Sequence, residues 1–474
     1  MQDSGEITRD VAQASPTKQF FVSMLTRDIS LSDAILDLVD NCLDGALRTT
    51  DGDVVNYTQY SVNIKFDKNH FEIADNCGGI PRDIAKNYAF KMGRDPDDDR
   101  DSETETIGMY GVGMKRAIFK MGKNALVWTR FEGDSYEVPI TSEWLDNKEW
   151  NPLPINESRA ATEDTIEAGT KIHIKELHKG VSKHFSNIAF ENEVKTAISE
   201  HFTMFIQRGL EVKINGSLIE PVRVEVLVSD NIKRPTPYVY RKVIDEVTVS
   251  ITVGLNTGKS IEDDEEIDFS SNRSYTTAGW TVLCNERAVI VGDKSRLTGW
   301  GDSIPLFHPQ FAIITGIIEF RSTNASKLPV TTTKRALDTA SNVWLESLVK
   351  MKEGMRVWIN YTNMWKNHPR SDQTHFWDDA KPMSITKAIE KVSTRKGVQK
   401  RSGIIEYNPQ KAGVLPKPSE KKPSSRRVIF SRPSEEIRRV AVLLFDDPEV
   451  KPGIVGDECF RIQHEIAITT RPEQ

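Results

Sequence analysis

The chain has 474 residues, a formal net charge of -6 and 38% hydrophobic residues, which allows two or more domains. Its four cysteines are far apart and form no CxxC pattern, which argues against a disulfide framework or a structural zinc site: Cys42, Cys77, Cys284 and Cys459. The polar N-terminus lacks the apolar core of a signal peptide, and no run approaches the roughly 18 apolar residues of a membrane-spanning helix. We therefore expect a soluble, cytoplasmic protein that does not enter a membrane.

A helix is predicted around residues 35–46, where apolar residues recur with helical spacing: Ile35, Leu38, Val39, Cys42 and Ala46. Asp37, Asn41 and Asp44 follow at i, i+4 and i+7 on another face. A carboxylate and an amide at this pitch can share one hydrated cation. The alternative is that these polar residues form a solvated helix face.

Three glycine-containing motifs follow along the chain. A short strand, 71–74, leads into the turn Asp75-Asn76-Cys77-Gly78-Gly79-Ile80. The second motif is Gly108-Met109-Tyr110-Gly111-Val112-Gly113-Met114-Lys115, whose glycines let backbone amides approach phosphate oxygens at the start of a helix over 114–121. The third is Gly169-Thr170, followed by an alternating strand over 171–174.

In this order the four motifs resemble the Bergerat nucleotide-binding fold of the GHKL superfamily, which includes DNA gyrase, the ninety-kilodalton heat-shock chaperone, histidine kinases and mismatch-repair MutL. The strings Leu-Val-Asp-Asn-Cys-Leu-Asp-Gly and Gly-Val-Gly-Met-Lys are most similar to MORC-like and MutL-like ATPases. The resemblance covers about residues 17 to 180. It implies an α+β fold, with helices layered on a mixed sheet, that binds ATP and Mg2+.

The resemblance also implies roles for individual residues. Asp75 would read the adenine amino group, Gly79 would let the base lie flat against the backbone, and Thr170 would support Asp75. Asn41 would be the magnesium ligand and Asp44 would hold the geometry of its motif. The expected lid over the phosphates contains Gly108, Gly111 and Gly113, with Lys115 nearby. The other expected nucleotide contacts are Ile80, Met92, Tyr110, Val112 and Met114.

The sequence departs from the family pattern at the general base, which is usually a Glu four residues before the magnesium ligand. Here that residue is Asp37, which is one methylene shorter and must approach the attacking water more closely, since a general base works at about 3 Å. We therefore expect slow hydrolysis. Asp40 is an alternative base, although its direction on the helix differs from that of Asn41 by roughly 100°.

A second departure is Cys77, where the family more often has glycine. Cys77 is interpreted as a small buried apolar residue, and the alternative is thiol control of ATP binding.

An acidic stretch precedes the glycine loop: Asp95, Asp97, Asp98, Asp99, Asp101, Glu103 and Glu105. Such a segment is typical of a solvated, mobile loop, and mobility suits a lid that opens to release nucleotide. The alternative is a contact with a basic partner or a second cation.

Residues 210–330 contain strand-like runs separated by polar turns, and a helix is predicted from about 334 to 361. This region resembles the α/β transducer domain that follows the ATPase domain in gyrase, MutL and MORC proteins. In those proteins a loop before the closing helix delivers a lysine to the γ-phosphate. Residues 328–334 occupy the corresponding place, so Lys334 is the candidate catalytic lysine, and the alternative is an ordinary exposed lysine.

The chain becomes basic after residue 361, with 18 lysines and arginines against 8 acidic residues over 366–440. We interpret 363–439 as a flexible linker that either binds DNA or RNA without sequence preference or serves as a solubilising tether. Apolar and alternating runs within 440–474 suggest a small C-terminal element of undetermined fold.

The predicted domains are therefore an N-terminal segment (1–29), an ATP-binding domain (30–209), a transducer-like domain (210–362), the linker and the C-terminal element. The resemblance implies that the N-terminal segment is exchanged in a homodimer formed on ATP binding. We expect a magnesium-dependent, slow ATPase whose lid closure drives conformational change or dimerisation, acting on nucleic acid or a protein complex. The alternatives are a remodelling chaperone for an unknown protein client and a nucleotide-gated binding module without turnover.

Overall fold

A computed structural model describes residues 16–50, 56–93, 104–108, 111–158, 168–231, 234–256, 277–331, 334–366, 368, 376–418 and 431–470. The first fifteen residues, most of the acidic stretch, Tyr110 and the basic segment 421–427 lie outside this description. The chain divides into two compact units, Met1–Pro418 and Ser419–Gln474.

The first part of the larger unit is one sheet covered by helices. Its strands are β1 (Ser61–Phe66), β2 (Phe71–Asp75), β3 (Gly122–Phe131), β4 (Asp134–Ile140), β5 (Asn156–Glu157), β6 (Gly169–Leu177), β7 (Glu211–Ile214) and β8 (Ser217–Leu218). They are ordered β5-β4-β3-β6-β2-β1-β7-β8. Strands β1 and β7 are parallel, and the other neighbouring pairs are antiparallel.

The helices of this part are α1 (Lys18–Arg27), α2 (Leu31–Arg48), α3 (Arg82–Ile84, continued by a π-helical turn, Ala85–Ala89), α4 (Gly113–Met121), α5 (Ser142–Asp146), α6 (Lys179–Phe185), α7 (Ile188–His201) and α8 (Thr203–Gln207). Helix α1 packs against α4, and Lys120 on α4 donates to the Thr26 carbonyl at 2.8 Å. The described part of the N-terminal segment therefore packs on the helix that follows the glycine loop.

Helix α2 follows directly from its sequence. Ser30 caps it by accepting a hydrogen bond from the Asp33 amide at 3.0 Å, a contact worth about 1 kcal/mol in helices. The predicted apolar face is buried at every position: Ile35, Leu38, Val39, Cys42 and Ala46. Burial of a large aliphatic side chain contributes roughly 1.5 to 3 kcal/mol, so this face fixes α2 in the core. The polar residues between these positions are thereby aimed at α4 and the second sheet.

The second part of the larger unit is built on a seven-stranded sheet ordered β13-β12-β14-β11-β10-β17-β16. Its strands are β10 (Tyr238–Ile244), β11 (Val247–Leu255), β12 (Gly279–Cys284), β13 (Arg287–Asp293), β14 (Ile314–Arg321), β16 (Gln399–Arg401) and β17 (Ile404–Tyr407). A separate pair is formed by β9 (Val226–Ser229) and β15 (Ala380–Met383). Helix α9 (Asn342–Trp365) packs on β10, β11 and β14, and α10 (Ile385–Ser393) packs on β11 and β17.

Two features differ from the predicted domain boundaries. Strand β7 pairs with β1, so the first sheet extends to residue 218 and beyond the expected end at 209. Residues 380–407, expected to be linker, form β15, α10, β16 and β17, and β17 pairs with β10. Most of their basic side chains lie at the surface of a folded segment, although Arg395 is buried. The apolar residues of this segment are buried with helical spacing: Ile385, Ala388, Ile389 and Val392.

The smaller unit contains two helices that pack on each other, α11 (Ser434–Phe445) and α12 (Pro452–Thr470). Ala441 on α11 and Val455 on α12 are buried. Among the described residues, no helix combines the length and apolar character needed to cross a membrane.

Candidate functional site

Helix α2 places three carboxylates and one amide around the candidate site. Asp37, Asp40 and Asp44 are 3%, 0% and 1% exposed, whereas Asn41 is exposed. A buried carboxylate is costly unless it is paired, so the partners of each one define how the site is held together.

Asp40 joins the two sheets of the larger unit. Its Oδ1 accepts from Nε of Arg287 on β13 at 2.7 Å, and its Oδ2 accepts from Nζ of Lys334 at 2.9 Å. Arg287 also donates through Nη1 to the Lys334 carbonyl at 2.7 Å. Burial opposes ionisation of Asp40, but the two cations outweigh it and hold its pKa below the usual value. Because both oxygens are committed to cations, this arrangement disfavours Asp40 as the general base.

Asp37 faces the first turn of α4. Its Oδ2 accepts from Nη2 of Arg116, and a side chain added at Gly113 would lie 3.5 Å from the carboxyl group. Burial raises the pKa of Asp37, and the positive charges of Lys334 and Arg116 oppose that rise. A carboxyl group with a raised pKa is better matched to general-base work near neutral pH.

Asp44 holds the start of the glycine loop. Its two oxygens accept from the backbone amides of Ile107 and Gly108, both at 2.7 Å. A Cβ at Gly108 would lie 2.4 Å from Asp44 Oδ2, so a larger residue there would displace the Asp44 carboxylate. Asp44 thus fixes backbone geometry.

Lys115 is buried, and its Nζ donates to the Gly111 carbonyl and, at 2.9 Å, to the Ala89 carbonyl. It therefore ties the glycine loop to the π-helical turn. Arg116, the next residue, is the cation of α4 that reaches an α2 carboxylate. Val112 precedes α4, and the remaining expected contacts that are described are partly buried against the core: Ile80, Met92 and Met114.

Asp75 ends β2 at the expected adenine side of the site. Its Oδ1 accepts from the Cys77 amide at 2.8 Å and its Oδ2 from the Cys42 thiol at 3.3 Å. Burial raises the pKa of Asp75 to about 6, although these contacts and a backbone hydrogen bond from Thr170 lower it. Burial also raises the pKa of both thiols, which favours Cys77 as an inert buried residue over a reactive one.

The turn after Asp75 is held from the neighbouring strands. Gly79 has a φ of 74°, and a Cβ there would lie 2.0 Å from the Arg130 carbonyl oxygen, so no larger residue fits. The Ile80 amide donates to Thr129 Oγ1 at 2.8 Å, which lies 3.2 Å from Thr170 Oγ1. The strand register therefore brings Thr170 and the glycine turn together through Thr129.

A second contact between the two sheets centres on His201, at the end of α7. Its Nδ1 donates to the Ala288 carbonyl at 2.5 Å, and its Nε2 accepts from Arg335 Nη1 at 2.7 Å. Arg335 also pairs with Asp33 on α2 at 2.5 Å. Burial, with Arg287 and Arg335 nearby, lowers the pKa of His201 to about 4, so the ring is neutral at pH 7.

Four residues that organise the site are not predicted by the sequence motifs: Arg116, Thr129, Arg287 and Arg335. Arg116 and Arg335 each directly follow a lysine that the sequence predicts to be at the site, in Lys115-Arg116 and Lys334-Arg335. A pair of adjacent basic residues is therefore the sequence feature that could have identified Arg116 and Arg335. Thr129 and Arg287 lie in strands without a motif, and only strand pairing places them.

The family described as histidine kinase-, DNA gyrase B-, and HSP90-like ATPase matches residues 29–170. This range contains all four motifs and the α2, α4, β2 and β6 elements that carry them. No curated protein matches the chain. The mixed α/β architecture and the matched range agree with the expected fold class. The chain therefore contains, at residues 29–170, an ATP-binding domain of the GHKL superfamily, followed by a further α/β domain.

Proposed function

We propose that this chain is a magnesium-dependent ATPase of slow turnover, in which ATP binding rearranges the contact between its two sheets. The observation that carries the proposal is the position of Lys334. Its Nζ lies 2.9 Å from Asp40, one residue before Asn41 on α2, and its charge acts on Asp37. A lysine from the second part of the chain thus already lies beside the residues that resemble the catalytic face of the family.

Asn41 fits the role of magnesium ligand. Its side chain is exposed, whereas the three neighbouring carboxylates are occupied by cations or backbone amides. Magnesium usually keeps several waters and takes one or two protein oxygens together with substrate phosphates. Bound there, the ion would neutralise phosphate charge. Asn41 would supply the amide oxygen that holds it against α2.

Asp37 is proposed to orient the attacking water and accept its proton. The raised pKa of this carboxyl group supports that role, but its short side chain and its ion pair with Arg116 both oppose it. Proton transfer requires the carboxylate within about 3 Å of the water. Slow turnover follows, because Asp37 must be released from Arg116 before it can reach a water.

Lys334 is proposed to move from Asp40 to the γ-phosphate. It has a φ of 57°, a left-handed conformation that costs a residue with a side chain about 1 to 3 kcal/mol. Such strain is concentrated at ligand clamps and switch regions. A lysine at the γ-phosphate would stabilise charge in the transition state, and its departure from Asp40 would loosen the contact with the second sheet.

Asp75, supported by Thr170, is proposed to accept the adenine amino group, and Gly79 to lie beneath the base. Asp44 and the three loop glycines are proposed to form the base of the phosphate lid, with Lys115 fixing the loop. The close approach at Gly79 and the two amides bound by Asp44 support this arrangement.

The proposed target of the ATPase cycle is nucleic acid or a nucleic-acid-bound protein complex, with the ATP-bound chain acting as a homodimer of MORC or MutL type. Support comes from the basic region 366–440, where the described part carries exposed cations on β15, α10, β16 and a nearby turn: Lys381, Lys387, Lys396, Lys400 and Arg401. Such residues contact phosphate backbones without sequence preference. A nucleotide-gated module without turnover is the second candidate, and the Asp37–Arg116 pair favours it.

The test is magnesium-dependent ATP hydrolysis and nucleotide binding by the unaltered chain, Asp37→Ala and Asp75→Asn, with the exposed Glu193→Gln as a control. We expect hydrolysis to be lost and binding kept in Asp37→Ala. In Asp75→Asn we expect hydrolysis to be lost and nucleotide binding to be strongly weakened but still measurable. Binding without hydrolysis by the unaltered chain would favour the nucleotide-gated module. Absence of binding would contradict the proposed site.

A further inference from the structure

Asp37 and Asp40 lie within one turn of α2, and each is paired with a cation from a different part of the chain. Arg116 comes from α4, directly behind the glycine loop, and Lys334 comes from the loop ahead of α9. The proposed function uses Lys334 but leaves Arg116 without a role beyond its pairing with the proposed base.

Arg116 is 9% exposed and lies three residues after Gly113, the first residue of α4. Within the described residues, its Nε is buried without a hydrogen-bond partner, while Nη2 donates to Asp37. A guanidinium has five N–H donors in a rigid fork, and this one uses only part of that capacity on the carboxylate. A phosphate group offers several oxygens that match the fork.

Lys115 does not compete for this role in the structure. Its Nζ is held by the carbonyls of Ala89 and Gly111, on the side of the π-helical turn. The cation that the start of α4 directs at α2 is therefore Arg116.

We propose that Arg116 is a contact for the γ-phosphate of ATP, and that its pairing with Asp37 blocks the general base until ATP itself removes the block. This inference rests on the proposed function. On ATP binding, the guanidinium exchanges one anion, the Asp37 carboxylate, for another, the terminal phosphate. The freed carboxylate then accepts a proton from the water whose oxygen bonds to the γ-phosphorus, while the bond from that phosphorus to the bridging oxygen breaks and ADP leaves with the bridging oxygen. ADP has no γ-phosphate, so Arg116 remains paired with Asp37 and this carboxylate cannot accept a proton from water.

The proposal predicts a coupling between the two residues in ATP binding. Removing the Asp37 charge frees Arg116 from its ion pair before the nucleotide binds. Binding of a non-hydrolysable ATP analogue should therefore become stronger. A simpler effect acts in the same direction, because loss of a negative charge beside the phosphates favours any bound triphosphate. The two effects are separated by whether strengthening requires Arg116, which a double-mutant cycle measures.

The experiment is calorimetric binding of the magnesium complexes of a non-hydrolysable ATP analogue and of ADP to the unaltered chain, Asp37→Asn, Arg116→Gln and the double variant. We expect Arg116→Gln to weaken analogue binding by about tenfold, as expected for loss of a charge-assisted contact, and to change ADP binding by less than about twofold. Asp37→Asn should strengthen analogue binding about fivefold when Arg116 is present and not in the double variant.

Two outcomes would overturn the inference while leaving the proposed function intact. One is equal strengthening by Asp37→Asn with and without Arg116, and the other is equal weakening of both nucleotides by Arg116→Gln. Failure of the unaltered chain to bind either nucleotide would instead overturn the proposed function, and this inference with it.

Arg116→Lys provides a second variant if Arg116→Gln does not fold. It keeps the charge beside Asp37 but lacks the planar fork, so analogue binding should still weaken while ADP binding and thermal stability remain close to those of the unaltered chain. Unchanged analogue binding in Arg116→Lys would contradict the inference. Lys123→Gln, an exposed cation at the start of β3, is the matched control for loss of a positive charge.

Discussion

Lys334 and Asp40 are 294 positions apart in the chain, yet their side chains form a partly buried ion pair with 2.9 Å between Nζ and Oδ2. Arg287 completes the contact from β13. The two sheets of the larger unit are therefore joined through a carboxylate that lies on the nucleotide-binding helix. A ligand that draws Lys334 away from Asp40 would therefore remove one of the two ion pairs through which Asp40 connects the sheets.

Asp40→Asn is expected to destabilise the chain. The substitution leaves the buried Arg287 and the partly buried Lys334 without their counter-ion, and removal of one partner from a buried pair costs about 3 to 5 kcal/mol. Denaturant unfolding followed by circular dichroism measures the loss. Asp146→Asn, at an exposed position in α5, is the control. A loss below about 1 kcal/mol would mean that the pair contributes no more than a surface ion pair.

Lys334→Met is expected to lower kcat by about a hundredfold or more while nucleotide binding changes far less, because the lysine is proposed to stabilise charge that develops in the transition state. Steady-state hydrolysis and calorimetric binding separate the two quantities. Lys327→Met, at a nearby position where the lysine is 44% exposed, is the matched control. An equal loss in binding and turnover would assign Lys334 to ground-state binding.

Gly79→Ala is expected to abolish nucleotide binding. The new methyl group would lie 2.0 Å from the Arg130 carbonyl oxygen, so the turn after Asp75 must shift. Gly133→Ala is an informative control, because Gly133 has a φ of 84° but no atom within 4 Å of an added Cβ. Gly133→Ala therefore has the conformational cost of a left-handed backbone, about 1 to 2 kcal/mol, but its methyl group overlaps no other atom. Equal effects of the two substitutions on binding would remove the steric explanation.

Nucleotide affinity is expected to fall as the pH drops below about 6, the pKa to which burial raises Asp75. Above this pH the carboxylate is ionised and accepts the adenine amino group. Below it, a proton must be released on binding, which costs about tenfold in affinity per pH unit until the lower pKa of the bound state is reached. Binding of ADP between pH 5 and 7.5 measures the slope.

The phosphates of the nucleotide also titrate in this range, so the same series is recorded with Asp75→Asn. Their contribution is common to both proteins and cancels in the ratio of affinities. A ratio that does not change with pH would show that Asp75 does not titrate near 6.

The elements at the site were predictable where local pattern determines structure. The apolar spacing along 35–46 defines the buried face of α2, and Gly79 and Gly108, from two of the later motifs, lie at close approaches. Both features depend on residues that are close together in the chain, so they can be predicted from the sequence.

The partners of the α2 carboxylates were not predictable in the same way. Asp37 was expected to face a nucleotide, and the structure pairs it with Arg116. Asp40 meets Arg287, which lies 247 positions away. Such pairs depend on strand register and on how the second sheet packs against α2. Similarly, the basic composition of 380–407 concealed the apolar positions that fold this segment into the second sheet.

Strand β17 has a mechanical consequence. It is hydrogen-bonded to β10 in the sheet that also contains Arg287, so residues 404–407 belong to the body that Lys334 and Arg287 attach to α2. Paired strands shift together as a rigid layer. In the proposed function, a rotation of this sheet relative to α2 would therefore also move the chain that follows Tyr407, the last residue of β17.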